Sequence, residues 1–198
     1  KGSMARLLAL AGIALMLCSC ASTHTLQARG KDLDMAISTR NIPAALDIVE
    51  NPKLYKSKDR VLYYLDAGML HHYQGDWQKS NELLQAAEDA IEELQTRSLS
   101  RAAASMMLND NVLEYSGEDY EDVYINVFKA LNFLQLGDQD AALVEIRRID
   151  DKLGYLEQKY ANMAKEMAKD PQIKMEAKSG SNRFHSSALA RYLSLALY

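Results

Sequence analysis

The chain has 198 residues, 48% of them hydrophobic and 25% charged, with three Pro and nine Gly, which is enough for a domain with a substantial core. Its formal net charge is −4, and it becomes −6 once Lys1 and Arg6 leave with the leader described below, because the 23 basic residues lose two and the 27 acidic ones lose none. That balance argues against nucleic acid or an anionic membrane surface as a partner, and the abundance of Ala, Leu, Met, Glu and Lys without any alternating strand pattern predicts an all-α fold.

Lys1-Gly2-Ser3 reads as the remnant of an expression tag ahead of a natural start at Met4. Arg6 then leads into an apolar run over 7–17 that ends in small residues. This is the pattern of a cleaved secretory signal; a membrane span needs about 20 apolar residues. The string Leu17-Cys18-Ser19-Cys20 resembles the lipobox of bacterial lipoproteins. The resemblance implies that residues 1–19 are removed and that Cys20 is lipidated as the first residue of the mature chain. Cys18 leaves with the signal, so no disulfide is possible within the mature chain. A three-chain lipid anchor holds firmly, where a single acyl chain binds only marginally. In this family Ala21, rather than Asp, after the Cys implies sorting to the outer membrane, and so a place in the periplasm. Residues 20–26 are expected to be a tether, and six extended residues reach only about 20 Å.

From Tyr63 the chain reads Y-Y-L-D-A-G-M-L-H-H-Y-Q-G-D-W-Q-K-S-N-E-L-L-Q-A-A, which resembles a tetratricopeptide repeat. A small residue at Gly68 lets two helices approach closely. Gly75-Asp76 ends one helix and caps the next, since Gly tolerates the left-handed turn and Asp accepts backbone N–H bonds. Trp77 is expected to fold back over the turn, with Leu84 and Ala87 on the inner stripe of the second helix. The register recurs from Val123, with Ala130, Gly137, Ala142, Ile146 and Ile149 in the corresponding places and Gln139 where the family prefers an aromatic. A weaker copy upstream carries Leu33, Ile42, Ala45, Val49 and Pro52, with Arg40 in place of the turn Gly, 35 residues before Gly75. The segment 186–198 matches the first helix of a further unit, with Leu195 corresponding to Gly68 and Ala130. It is either a terminal cap or a repeat that stops partway, and its exposed apolar flank of Leu193, Leu195 and Leu197, in place of a polar capping face, favours the latter.

The predicted organisation is therefore an array of helical hairpins, a tetratricopeptide-like solenoid over 27–198, with units at about 27–57, 60–94 and 120–153 and an insertion at 95–119. The string N-D-N-V-L-E-Y-S-G-E-D-Y-E, together with V-F-K-A-L-N-F-L-Q-L-G-D and E-I-R-R-I-D, resembles an uncharacterised family of bacterial repeat lipoproteins over about 90–198. After Ile149 the helix is expected to run on to about Lys169, with Tyr155, Leu156, Tyr160, Met163 and Met167 forming a packing face. Pro171 and residues 179–182 then make a loop.

No constellation in the sequence carries catalysis. His71 and His72 point roughly 100° apart on a helix and cannot chelate one ion, and His72 with Asp76 supplies only two ligands. The acidic, amide-rich stretch over 109–122 lacks the spacing of a calcium loop and reads as a connection whose Asn and Asp cap helices. No nucleophile motif is present, and no metal or cofactor is expected. What the repeats offer is a concave strip from the first helix of each hairpin: Leu65, Met69, His72 and Tyr73 in one unit, Tyr124, Val127, Leu131 and Gln135 in the next. Such a strip suits an extended peptide or a partner helix; the alternative for any one of these residues is burial as core by neighbouring helices. The expected function is that of a lipid-anchored periplasmic scaffold or adaptor, not an enzyme, that binds another envelope protein or peptide. The alternative is a helical-repeat cavity for a lipid or hydrophobic small molecule.

Overall fold

The computed structural model describes residues 21–101, 114–167 and 188–197, and among them every regular element is a helix. The signal segment, Cys20, residues 102–113 of the insertion, Pro171 and the 179–182 loop, and Tyr198 lie outside the described residues. Contacts group the chain into two compact units, 1–56 and 57–198, each described by itself.

In the first unit, α1 (Ala21–Ser38) packs on α2 (Ile42–Val49). Residues 21–26, expected as an extended tether, instead form the first turns of α1. Ala-Ser-Thr-His-Thr-Leu contains no Pro or Gly, and six helical residues rise only about 9 Å. Ala45 and Val49 of α2 are fully buried.

The second unit begins with a single 3₁₀ turn, Ser57–Asp59, and then pairs α3 (Arg60–Gln74) with α4 (Trp77–Arg101). Helix α5 (Asp119–Gln135) pairs with α6 (Gln139–Met167) and also packs on α4, and α7 (Ala188–Leu197) packs on α6. Two hydrophobic clusters hold these helices. One joins Val61 of α3, Leu84, Ala87 and Ile91 of α4, and Ile125 of α5. The other joins Val127 and Ala130 of α5, Ile146 and Ile149 of α6, and Ala190 and Leu193 of α7. Full burial of one such aliphatic side chain contributes about 1.5–3 kcal/mol.

One turn recurs three times with the same hydrogen bonds. Arg40, Gly75 and Gly137 have φ of 57°, 88° and 78°. Each N–H bonds the carbonyl three residues back, and the next N–H bonds the carbonyl five back: Asn41 to Ala36, Asp76 to His71, Asp138 to Phe133. These satisfy helix-end carbonyls in the Schellman pattern. The Asn41, Asp76 and Asp138 side chains then accept from the N–H three residues ahead, at 3.3, 3.2 and 3.0 Å, and cap the following helix. Four residues past each cap, Ala45, Ser80 and Ala142 are fully buried. Arg40 thus holds the left-handed turn without glycine. Gly68 works as expected: a Cβ there would stand 2.9 Å from Leu84 Cγ.

Three expectations are corrected. Helix α4 continues to Arg101, so the break after it comes later than residue 95. Leu193, expected on an exposed flank with Leu195 and Leu197, is buried in the second cluster because α7 packs that side on α6, while Leu195 is 79% exposed. Of the predicted face on the extension of α6, Leu156 is buried while Tyr155, Tyr160 and Met163 are exposed, and the side chain of Met167 lies outside the described residues.

Candidate functional site

Between α3 and α5, over Leu84 of α4, lies an apolar groove of about 360 Å³. Leu65 and Met69 line it from α3 and Ile125 and Phe128 from α5, with Tyr120 and Tyr124 on the rim. Its polar members are two carboxylates, Asp66 and Glu121. The α5 residues come from the turns at Tyr120, Tyr124 and Phe128, spaced four apart and so stacked on one helical face. Tyr120 and Tyr124 are 63% and 53% exposed.

The N-terminus of α5 is fixed by the segment that enters it. Tyr115 N–H donates to the Lys58 carbonyl at 3.0 Å, and its ring packs on the first hydrophobic cluster. Gly117 has φ 76°, and a Cβ there would sit 2.9 Å from Ile91 Cδ1, so both backbone and space require glycine. Glu121 Oε2 accepts from the Tyr115 hydroxyl at 2.6 Å and from the Glu118 N–H at 2.8 Å. Burial, with the Glu121 carboxylate beside it, pushes the Tyr115 phenol above its ordinary range and keeps it a donor. Asp119 accepts from Lys159 at 2.8 Å and from the Tyr160 hydroxyl at 2.6 Å, which ties α5 to the extension of α6. Burial opposes the Asp119 charge, but these two donors outweigh it and lower the carboxyl.

The far end of the groove rests on a buried polar chain. Ser80 Oγ donates to the Gly68 carbonyl at 2.7 Å and accepts from Asn132 Nδ2 at 2.8 Å; the same nitrogen donates to Asn81 Oδ1 at 2.9 Å. Asn132 Oδ1 then accepts from His72 Nδ1 at 2.6 Å, so the proton of this imidazole sits on Nδ1. The His72 ring meets Phe128 edge-on with centroids 4.9 Å apart.

Behind α5 a charge network joins three helices. Lys129, only 2% exposed, donates to Gln85 and Glu88 of α4 at 2.6 and 3.0 Å and lies 3.1 Å from Glu145 of α6. Glu88 also meets Lys152 at 2.7 Å, Arg148 at 3.3 Å and Asn126 at 3.0 Å, and Lys152 reaches Asp122 at 2.7 Å. Burial opposes the Glu88 charge, but Lys152 and Lys129 outweigh it and hold the carboxyl down at about 2. A polar cleft of about 460 Å³ opens beside this network between α4 and α6. Glu88, Asp122, Arg148 and Lys152 of its lining are paired with one another across the helices, so the network holds helices together.

Of the residues predicted to face inward, Leu65, Met69 and Tyr124 line the groove. His72 sits at its end, bonded to Asn132, and Tyr73 is 62% exposed, with its ring 6.5 Å from Phe128. Val127 is buried in the cluster with α6 and α7, Leu131 packs on that cluster, and Gln135 is exposed at the end of α5. Tyr120, Phe128, Asp66 and Glu121 escape the sequence reading. Helix α5 is apolar on two sides, and periodicity does not say which side meets α6; the 120–124–128 stripe was the signal for the other. Among the described residues no group of three His, Cys, Asp or Glu is placed to hold a metal ion, and no helix is long and apolar enough to cross a membrane.

Compared with protein-family models, curated proteins and solved structures, the chain gives no match.

Proposed function

We propose that this chain is a non-catalytic scaffold or adaptor of the tetratricopeptide-like kind, lipid-anchored through Cys20 on the periplasmic face of the outer membrane, and that it holds an envelope protein or peptide in the groove between α3 and α5. One observation carries the reading: the first helices of two successive hairpins leave an apolar groove between them with exposed Tyr120 and Tyr124 on its rim. The thrice-repeated turn supports a repeat architecture, because identical caps set identical hairpins. The exposed rim favours a peptide over an enclosed lipid, which would need its apolar surface covered on most sides. The address rests on the lipobox-like string 17–20.

A photo-crosslinking side chain placed at Tyr73 or at Tyr124, in cells whose envelope is intact, tests this. The expected product is a covalent adduct with one and the same polypeptide from both positions. Capture of lipid alone would replace the scaffold by the lipid-binding alternative. Cys20→Ser tests the anchor separately: palmitate labelling should disappear and the protein should leave the membrane fraction.

A further inference from the structure

We infer that the groove recognises a peptide in which an apolar anchor stands beside an arginine, an inference that rests on the peptide-binding reading above. The floor of Leu65, Met69, Leu84, Ile125 and Phe128 takes the apolar side chain. The rim determines what stands next to it. Tyr120 and Tyr124 present rings on consecutive turns of α5, more than half exposed, and Glu121 lies in the same lining. The two hydrogen bonds that Glu121 Oε2 accepts come from neutral groups, the Tyr115 hydroxyl and the Glu118 N–H, so they orient the carboxylate without cancelling its charge.

The cations native to the two groove helices are committed elsewhere. Arg60 of α3 pairs with Glu93 of α4 at 2.7 Å. Lys129 of α5 is buried against Glu88 and Glu145. Among the described residues the groove is therefore lined by apolar groups, aromatic faces and carboxylates, with no Lys or Arg. A cationic ligand complements it. Arginine fits better than lysine, because a planar guanidinium stacks on a tyrosine ring while its N–H groups reach a carboxylate. In the first turn of α5 Asp119 and Asp122 are paired with Lys159 and Lys152, so the charge offered at that end is that of Glu121.

Selection of short random peptides displayed against the full lipidated chain in detergent micelles tests the inference. The expected winners carry Arg adjacent to Trp, Phe, Leu or Met, and a synthetic winner binds about ten-fold more weakly when Glu121 is changed to Gln or when its Arg is changed to Lys, each close to 1.4 kcal/mol. Tyr120→Leu keeps the apolar area, removes the aromatic face at an exposed position and should weaken the same peptide several-fold, while circular dichroism stays that of the parent. Winners that lose binding in Met69→Asp yet carry no cation, or that bind Glu121→Gln unchanged, overturn the arginine inference and leave the groove as a peptide site. If no winner is sensitive to Met69→Asp, both readings are overturned.

Discussion

Arg40 occupies the left-handed conformation that glycine occupies at 75 and 137. A side chain in that region costs about 1–2 kcal/mol, while glycine loses more backbone entropy on folding. Arg40→Gly should therefore raise the stability of the first unit by about 0.5–1 kcal/mol in urea unfolding. The opposite change separates backbone from space. Nothing lies within 4 Å of a Cβ built on Gly137, so Gly137→Ala should cost only the backbone strain, about 1 kcal/mol. At Gly117 the same φ is joined by an approach of 2.9 Å to Ile91 Cδ1, and Gly117→Ala should cost about 2–3 kcal/mol. Equal losses at the two sites would mean that the close approach to α4 contributes nothing. Gly75 and Gly137 are legible in the sequence because Asp follows each in a repeated register. Gly117 is not, since its neighbour Ile91 lies 26 positions away.

At the scale of the helices, the network around Glu88 and Lys129 joins α4, α5 and α6 through buried charge. Removing one partner leaves the others desolvated, so Lys129→Met should destabilise by about 3–5 kcal/mol, measured by thermal or urea unfolding. The pH dependence has a definite sign. The folded-state carboxyl of Glu88 is held at about 2, below its ordinary value of 4.5, so its contribution is complete above pH 4.5 and is lost as pH falls towards 2. Stability of the Glu88→Gln variant should change less steeply than that of the parent across that window. Helix α7 offers a contrast in which sequence alone misleads. Leu193 is 7% exposed within the second cluster and Leu195 is 79% exposed. Leu193→Asp should release α7 and lower stability by several kcal/mol, whereas Leu195→Asp should leave it within about 0.5 kcal/mol. Similar losses for both would overturn this placement of the helix.

Across the whole molecule, the sequence by itself determined that the chain is helical and where its hairpins turn. Those properties are local: propensity, the Gly-Asp caps and small residues at fixed spacing act within a few residues of one another. Leu65, Met69 and Tyr124 could be placed on the groove because α3 and α5 share a register. Tertiary structure alone decided the rest. Which of two apolar faces of α5 meets α6 depends on an element twenty residues downstream, and so Val127 went into the core while Phe128 and Tyr120 went to the groove. Lys129 and Glu88 carry no signal of their pairing in the sequence; packing brings them within 3.0 Å across 41 positions. Side chains so far apart in the chain meet only when the helices that carry them pack, because contact between them depends on distance in space and leaves no local pattern behind.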